Sequence, residues 1–151
     1  MKKRIAILAM VAALSGWSIA AADAQTPAPA AAQAAPMEIK GAKTVDAEKV
    51  IDLIDAHKNL VIVDNRRAED FDAGHIEGAV RVLDTDLSEA RMSQLAPQKD
   101  RPLLFYCNGL NCGRAAKAVQ MALGWGYQNV HYYALGMDEW KKLQLPLTTA
   151  Q

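Results

Sequence analysis

Apolar residues along this chain fall into short clusters of two kinds, separated by polar segments. After Asp46, whose carboxylate can cap a helix, Val50, Ile51, Leu53 and Ile54 recur at helical spacing on one side. Leu60-Val61-Ile62-Val63 is then a continuous apolar run, as expected of a strand covered on both faces. Ala79 to Leu83 reads as a second strand, and Ser88 can cap a short helix through Leu95 that stops before Pro97. Pro102 to Tyr106 predicts a third strand and Arg114 to Leu123 a helix ending at Gly124 and Gly126. Val130 to Tyr133 predicts a fourth strand, and Met137 to Leu143 a last short helix. Strands alternating with helices predict an α/β layer fold with a mainly parallel sheet. In such sheets ligands sit beyond the carboxyl ends of the strands. The loop after Tyr106 lies at such a place and holds both cysteines of the chain.

The beginning of the chain follows a different pattern. Met1-Lys2-Lys3-Arg4 is a short positive start, Ile5 to Leu14 an apolar run, and Ala22-Asp23-Ala24 an A-x-A pattern before Gln25. This is the layout of a bacterial secretory signal: charge holds the start inside, the apolar run partitions into lipid, and small residues fit the peptidase. An uncleaved anchor is the alternative, but much of the uncharged stretch 5–22 is Ala, Ser and Gly, weakly apolar for a span. Residues 1–24 are therefore read as an export signal, 25–37 as an Ala/Pro-rich linker, and 38–149 as one folded domain. The expected product is periplasmic or secreted, with no membrane attachment once the signal is removed.

Composition sharpens this division. Half of the 28 alanines lie in the first 36 residues, so the 51% hydrophobic content overstates the core. Lys plus Arg number 17, as do Asp plus Glu; losing residues 1–24 removes three cations and one anion and leaves a net −2. Without a basic surplus the chain is a poor polyanion binder, which argues against nucleic acid as a partner. The aliphatic and aromatic content of the second half excludes the disordered and collagen-like classes.

The cysteine loop reads Tyr106-Cys107-Asn108-Gly109-Leu110-Asn111-Cys112-Gly113-Arg114. Backbone N–H groups of such a loop can converge on an anion, aided by the following helix N-terminus and by Arg114. The same field favours a thiolate nucleophile at Cys107. A structural or redox disulfide is the competing reading, one that export permits but that would close only a tiny ring. A zinc site lacks its remaining ligands at suitable spacing, and no cofactor is expected. A thioredoxin-type pair has two intervening residues, not four. A Cys-based phosphatase loop would have arginine where Gly113 stands.

Three separated segments resemble the single-domain rhodanese-like sulfurtransferases. Val61-Ile62-Val63-Asp64-Asn65-Arg66, with Glu69, Phe71, Gly74-His75-Ile76 and Gly78-Ala79, is similar to the family's opening signature. Tyr106-Cys107 through Ala116 resembles its active-site loop, in the Cys-x-Gly-x-x-Cys form seen in a subgroup. Leu135 to Trp140 with Leu145-Pro146 resembles its closing segment. The resemblance implies a three-layer fold with helices on both faces of the sheet. It also implies a sulfur carrier: Cys107 takes sulfane sulfur from thiosulfate or a related donor as a persulfide and passes it to cyanide or a thiol. On this reading the loop Asn108, Gly109, Leu110, Asn111, Cys112 and Gly113 stabilises the charge through its amides, and Arg114 adds a cation at the rim. Cys112 would either attack the persulfide and release reduced sulfur, closing a disulfide, or protect Cys107 in an oxidising compartment. The implied partners are a small sulfur-containing anion or thiol substrate and a periplasmic redox partner. The alternative is a non-catalytic binding or redox module using a Cys107/Cys112 dithiol–disulfide pair. Asn108, Leu110 and Asn111 are neutral, whereas thiosulfate-using members often carry cations in this loop. Asp64 and Arg66 are read as a buried ion pair, His75 as support for its turn, and Trp125, Tyr127 and Trp140 as packing aromatics.

Overall fold

A computed structural model describes residues 34–149, so the expected export signal and most of the expected linker lie outside the described residues. Among the described residues five strands form, β1 (Lys43–Thr44), β2 (Val61–Asp64), β3 (Val80–Arg81), β4 (Leu103–Tyr106) and β5 (Val130–Tyr133). Five helices alternate with them: α1 (Ala47–Ala56), α2 (Ala68–Ala73), α3 (Glu89–Leu95), α4 (Arg114–Gly124) and α5 (Gly136–Lys142). Every pairing among these five strands is parallel and the strand order is β1-β5-β4-β2-β3. Among the described residues no helix is long and apolar enough to cross a membrane.

Two-residue periodicity explains the layers. Val61, Val63, Leu103, Phe105, Val130 and Tyr132 point to one face, where Met92 of α3 and Ala115, Ala118 and Val119 of α4 cover them. Ile62, Leu104, Tyr106 and Tyr133 point to the other, against Val50 and Leu53 of α1 and Met137 and Trp140 of α5. The two expected caps form: Asp46 accepts from the Lys49 N–H at 2.9 Å and Ser88 from the Arg91 N–H at 3.1 Å. Ile51, expected on the buried side of α1, is 39% exposed, because one residue's rotation beyond Val50 carries it off the core stripe.

Three further features depart from the sequence-based expectation. Edge strand β1 is two polar residues with no apolar run, and it forms because β5 supplies its ladder at Lys43–His131 and Thr44–Tyr132. Helix α2 buries none of its side chains, so it has no apolar stripe to reveal it. The strand expected over Ala79–Leu83 shrinks to Val80–Arg81, the only residues registered with β2. The domain also begins earlier than residue 38. Ala35 is buried with its N–H donating to the Leu110 carbonyl, and Tyr132 donates its hydroxyl to the Pro36 carbonyl at 3.0 Å.

At the carboxyl end of β2 sits the expected ion pair, fully buried. Asp64 Oδ2 lies 2.7 Å from Arg66 Nη2, and Arg66 also donates to the Gly74 carbonyl at 2.8 Å. The Tyr106 hydroxyl donates to Asp64 Oδ2 at 2.6 Å and accepts from the Ile76 N–H at 3.3 Å. Burial opposes the Arg66 charge, but the bonds and charge of Asp64 outweigh it and leave the guanidinium more firmly protonated than usual. Burial, then the neighbouring Asp64, pushes the Tyr106 phenol up, so it stays a donor. This network ties the start of α2, the turn at Ile76 and β4 to one point. His75 supports that turn as expected, with Nδ1 2.9 Å from the Phe71 carbonyl and its ring stacked on Phe71.

Candidate active site

From β2 the chain moves outward to β3, then returns across to β4 on the opposite side of β2. The β2/β4 seam is therefore the point where the winding reverses, and crevices open there beyond the carboxyl ends. Asn65 leaves β2 at this point and Cys107 leaves β4, and Cys107 Sγ lies 3.9 Å from the Asn65 carbonyl oxygen. Asn65 is itself buried, its Nδ2 donating to the Val82 carbonyl at 2.7 Å.

Cys107 is 2% exposed and is joined by a disulfide to Cys112, with the two Cα atoms 6.2 Å apart. The five-residue step closes because the loop makes a tight turn in which the Cys112 N–H donates to the Gly109 carbonyl at 2.9 Å. That amide is thus engaged within the loop. Asn108 faces the other way, its Nδ2 3.2 Å from Asp70 Oδ2. Leu110 packs into the core beside α4. Gly113 then opens α4, whose first-turn N–H groups have no partner within the helix.

The carbonyl side of the loop is held by α5. The Met137 N–H donates to the Cys107 carbonyl at 3.0 Å and the Asp138 N–H to the Asn108 carbonyl at 2.7 Å. This approach requires two glycines. Gly136 has φ +53°, and a Cβ there would collide with the Cys107 carbonyl oxygen. A Cβ at Gly109 would run into the Asp138 carboxylate, which lies over the loop.

The amino side opens into a cleft of ≈510 Å³ whose lining includes Asn111, Cys112, Arg114, Lys117, Asp84 and Asp138. Cys112 lines it and is half-buried, whereas Cys107 lies beneath. Arg114 stands at the rim, with Nη1 3.8 Å from Cys112 Sγ. Its charge is not free: Asp84 Oδ1 is 3.9 Å from Arg114 Nε, and Asp84 Oδ2 is 3.0 Å from Lys117 Nζ. The structure thus brings Cys107 to Arg114 together with Asp84, Lys117, Asp70 and Asp138. Asp84 follows a short edge strand and Asp70 sits on a helix without an apolar stripe, so no local pattern announces either. A larger hollow of ≈980 Å³ lies toward the other end of the sheet, lined by Lys43, Lys49, His57 and His131 among others, with no cysteine.

Comparison with known proteins bears on the family and fold. A family model, the Rhodanese-like domain, matches residues 46–143. The chain is 30% identical over 91 residues to Uncharacterized protein YibN of Escherichia coli strain K12, covering 60% of this chain and 62% of that protein. It is 35% identical over 88 residues to HTH-type transcriptional regulator Rv0324 of Mycobacterium tuberculosis, covering 58% of this chain and 37% of the regulator. The chain thus spans less than two thirds of the length of these curated relatives. Among solved structures it is similar to thiosulfate sulfurtransferase from Pseudomonas aeruginosa, with TM-score 0.60 and 26% identity over 73% of this chain and 21% of that one.

Proposed function

The chain belongs to the rhodanese-like domain family, and on that premise we propose that it moves sulfane sulfur from thiosulfate or a related donor to a thiol or cyanide through a persulfide on Cys107. One observation carries the reading: Cys107 stands at the switch point of the sheet with a second sulfur, Cys112, bonded to it across one tight turn.

The chemistry then runs in three balanced steps. The reduced Cys107 thiolate attacks the outer sulfur of the donor; with thiosulfate, the S–S bond breaks and sulfite leaves with the electron pair. The resulting Cys107 persulfide yields its outer sulfur to cyanide, forming thiocyanate, or to an acceptor thiolate, and regenerates the Cys107 thiolate. Without an acceptor, the Cys112 thiolate attacks Cys107 Sγ and displaces hydrosulfide, leaving the Cys107–Cys112 disulfide. A dithiol reductant resets that disulfide, taking up its oxidation. First-turn amides of α4 and Arg114 supply the positive potential that a thiolate and persulfide need. The layout of residues 1–24 supports export to the periplasm or the medium, and in the periplasm the reductant this reading calls for is a redox protein of that compartment.

The disulfide also favours a second reading, a dithiol–disulfide module that carries no sulfur. Intact mass of the reduced full chain after exposure to thiosulfate or an organic hydropersulfide separates the two. The sulfurtransferase gains one sulfur atom, and its Cys107→Ser variant gains none. A parent that gains no sulfur from either donor and only loses two hydrogens refutes sulfur transfer. Loading that survives Cys107→Ser refutes the assignment of Cys107.

A further inference from the structure

The charges around the cysteine cleft are arranged against a dianion. Two cations line it, Arg114 and Lys117, and in another setting they would form an anion subsite beside Cys112. Asp84 occupies both. Its side chain is 10% exposed and bonds Lys117 Nζ at 3.0 Å through one carboxylate oxygen, while the other faces Arg114 Nε at 3.9 Å. A donor oxyanion would have to displace a buried carboxylate that already holds both partners. Asp138 presents a second carboxylate on the cleft wall at Gly109. Asp70 adds a third negative charge one residue from Cys107, through its 3.2 Å bond to Asn108 Nδ2. The cleft's two cations, Arg114 and Lys117, are thus matched by Asp84 and Asp138, Asp70 stands beside the loop, and the loop side chains Asn108, Leu110 and Asn111 contribute no charge.

We propose that Asp84, seconded by Asp138, is a specificity-determining residue that turns this site away from thiosulfate and toward sulfane sulfur carried on a thiol of low net charge, an organic hydropersulfide. The inference rests on the sulfurtransferase reading above and names its donor class. The transfer balances without any outside oxidant: the Cys107 thiolate bonds the outer sulfur of R–S–SH, the donor's S–S bond breaks, and R–S⁻ leaves with the electron pair. Cys107 ends as the persulfide and the donor as its thiolate. The leaving group carries a single negative charge, whereas sulfite would leave as a dianion past Asp84 and Asp138. Each carboxylate within a few ångströms of a dianion in high dielectric opposes it by about tenfold in binding.

The test compares two donors on the reduced full chain, thiosulfate and cysteine hydropersulfide, by the rate of one-sulfur gain in intact mass. Asp84→Asn keeps the shape and removes the charge. The ratio of thiosulfate to hydropersulfide loading is expected to rise about tenfold in this variant, and the gain to shrink in molar salt as screening sets in. Asp138→Asn is the second variant, expected to raise the same ratio whether or not Asp84→Asn folds. A ratio unchanged in the folded variants, with a parent that loads from either donor, overturns the role of the carboxylates and leaves sulfur transfer standing. A parent that loads from neither donor overturns the sulfurtransferase reading itself, and this inference with it.

Discussion

Gly136 is the residue through which α5 clamps the cysteine loop, and replacing it with alanine puts a number on that clamp. At φ +53° an alanine pays about 1 kcal/mol for the left-handed backbone alone. Its Cβ would also strike the Cys107 carbonyl oxygen, with the Cys107 and Asn108 carbonyl carbons only 3.0 and 3.1 Å away. These are backbone atoms, so relief requires the loop and α5 to separate. Separation stretches the Met137-to-Cys107 and Asp138-to-Asn108 bonds, now 3.0 and 2.7 Å, each worth about 1 kcal/mol. Gly136→Ala is therefore expected to lose about 3 kcal/mol of unfolding free energy in urea titration, read by linear extrapolation. Gly113→Ala is the matched control in the same loop. Its φ is −74° and nothing lies within 4 Å of a Cβ there, so it should stay within about 1 kcal/mol of the parent. A Gly136→Ala protein as stable as Gly113→Ala would refute the clamp.

Other expectations follow from the same structure. Tyr106→Phe removes the 2.6 Å bond to Asp64 and leaves the Ile76 N–H without its acceptor, so it should cost about 1–3 kcal/mol in the same titration; a loss under about 0.5 would contradict the network. Burial, assisted by Lys43 and His57, lowers the His131 pKa from its ordinary 6.5, so the unfolded chain takes up this proton first as pH falls. The His131 contribution to stability is then intact above about pH 6.5 and declines below it toward the lowered native value. His131→Gln should flatten this decline, and parallel thermal-melting curves for parent and variant would refute it. Because Cys112 lines the cleft while Cys107 is 2% exposed, substoichiometric glutathione should attack the disulfide at Cys112. Peptide mapping of the trapped mixed disulfide checks this, and glutathione on Cys107 would reverse the assignment.

The chain's patterning reveals some of these parts and hides others for definite reasons. The strands β2, β4 and β5 are legible because central parallel strands are apolar on both faces, and α1 and α3 because Asp46 and Ser88 are local caps. Strand β1 and helix α2 are hidden, one being made only by its partner's ladder and the other burying nothing. The loop from Cys107 to Arg114 is likewise contiguous and readable. What surrounds it is not: Asp84 and Lys117 lie 33 positions apart in the chain and meet only because the segment after β3 comes alongside α4. The close approach that makes Gly109 and Gly136 necessary is equally a product of packing, since it exists only because α5 lies over the loop.

The seat of Ala35 and Pro36 has a practical meaning for anything joined ahead of them. With Ala35 bonded to Leu110 and Pro36 to Tyr132, the polypeptide enters the domain across the loop that carries both sulfurs. A fusion or tag placed just before residue 34 therefore begins its leash at the working face. A short leash holds its cargo near the cysteines at millimolar effective concentration, and only a long one dilutes it away. Trimming the chain past Pro36 would cut that mooring as well as the leash.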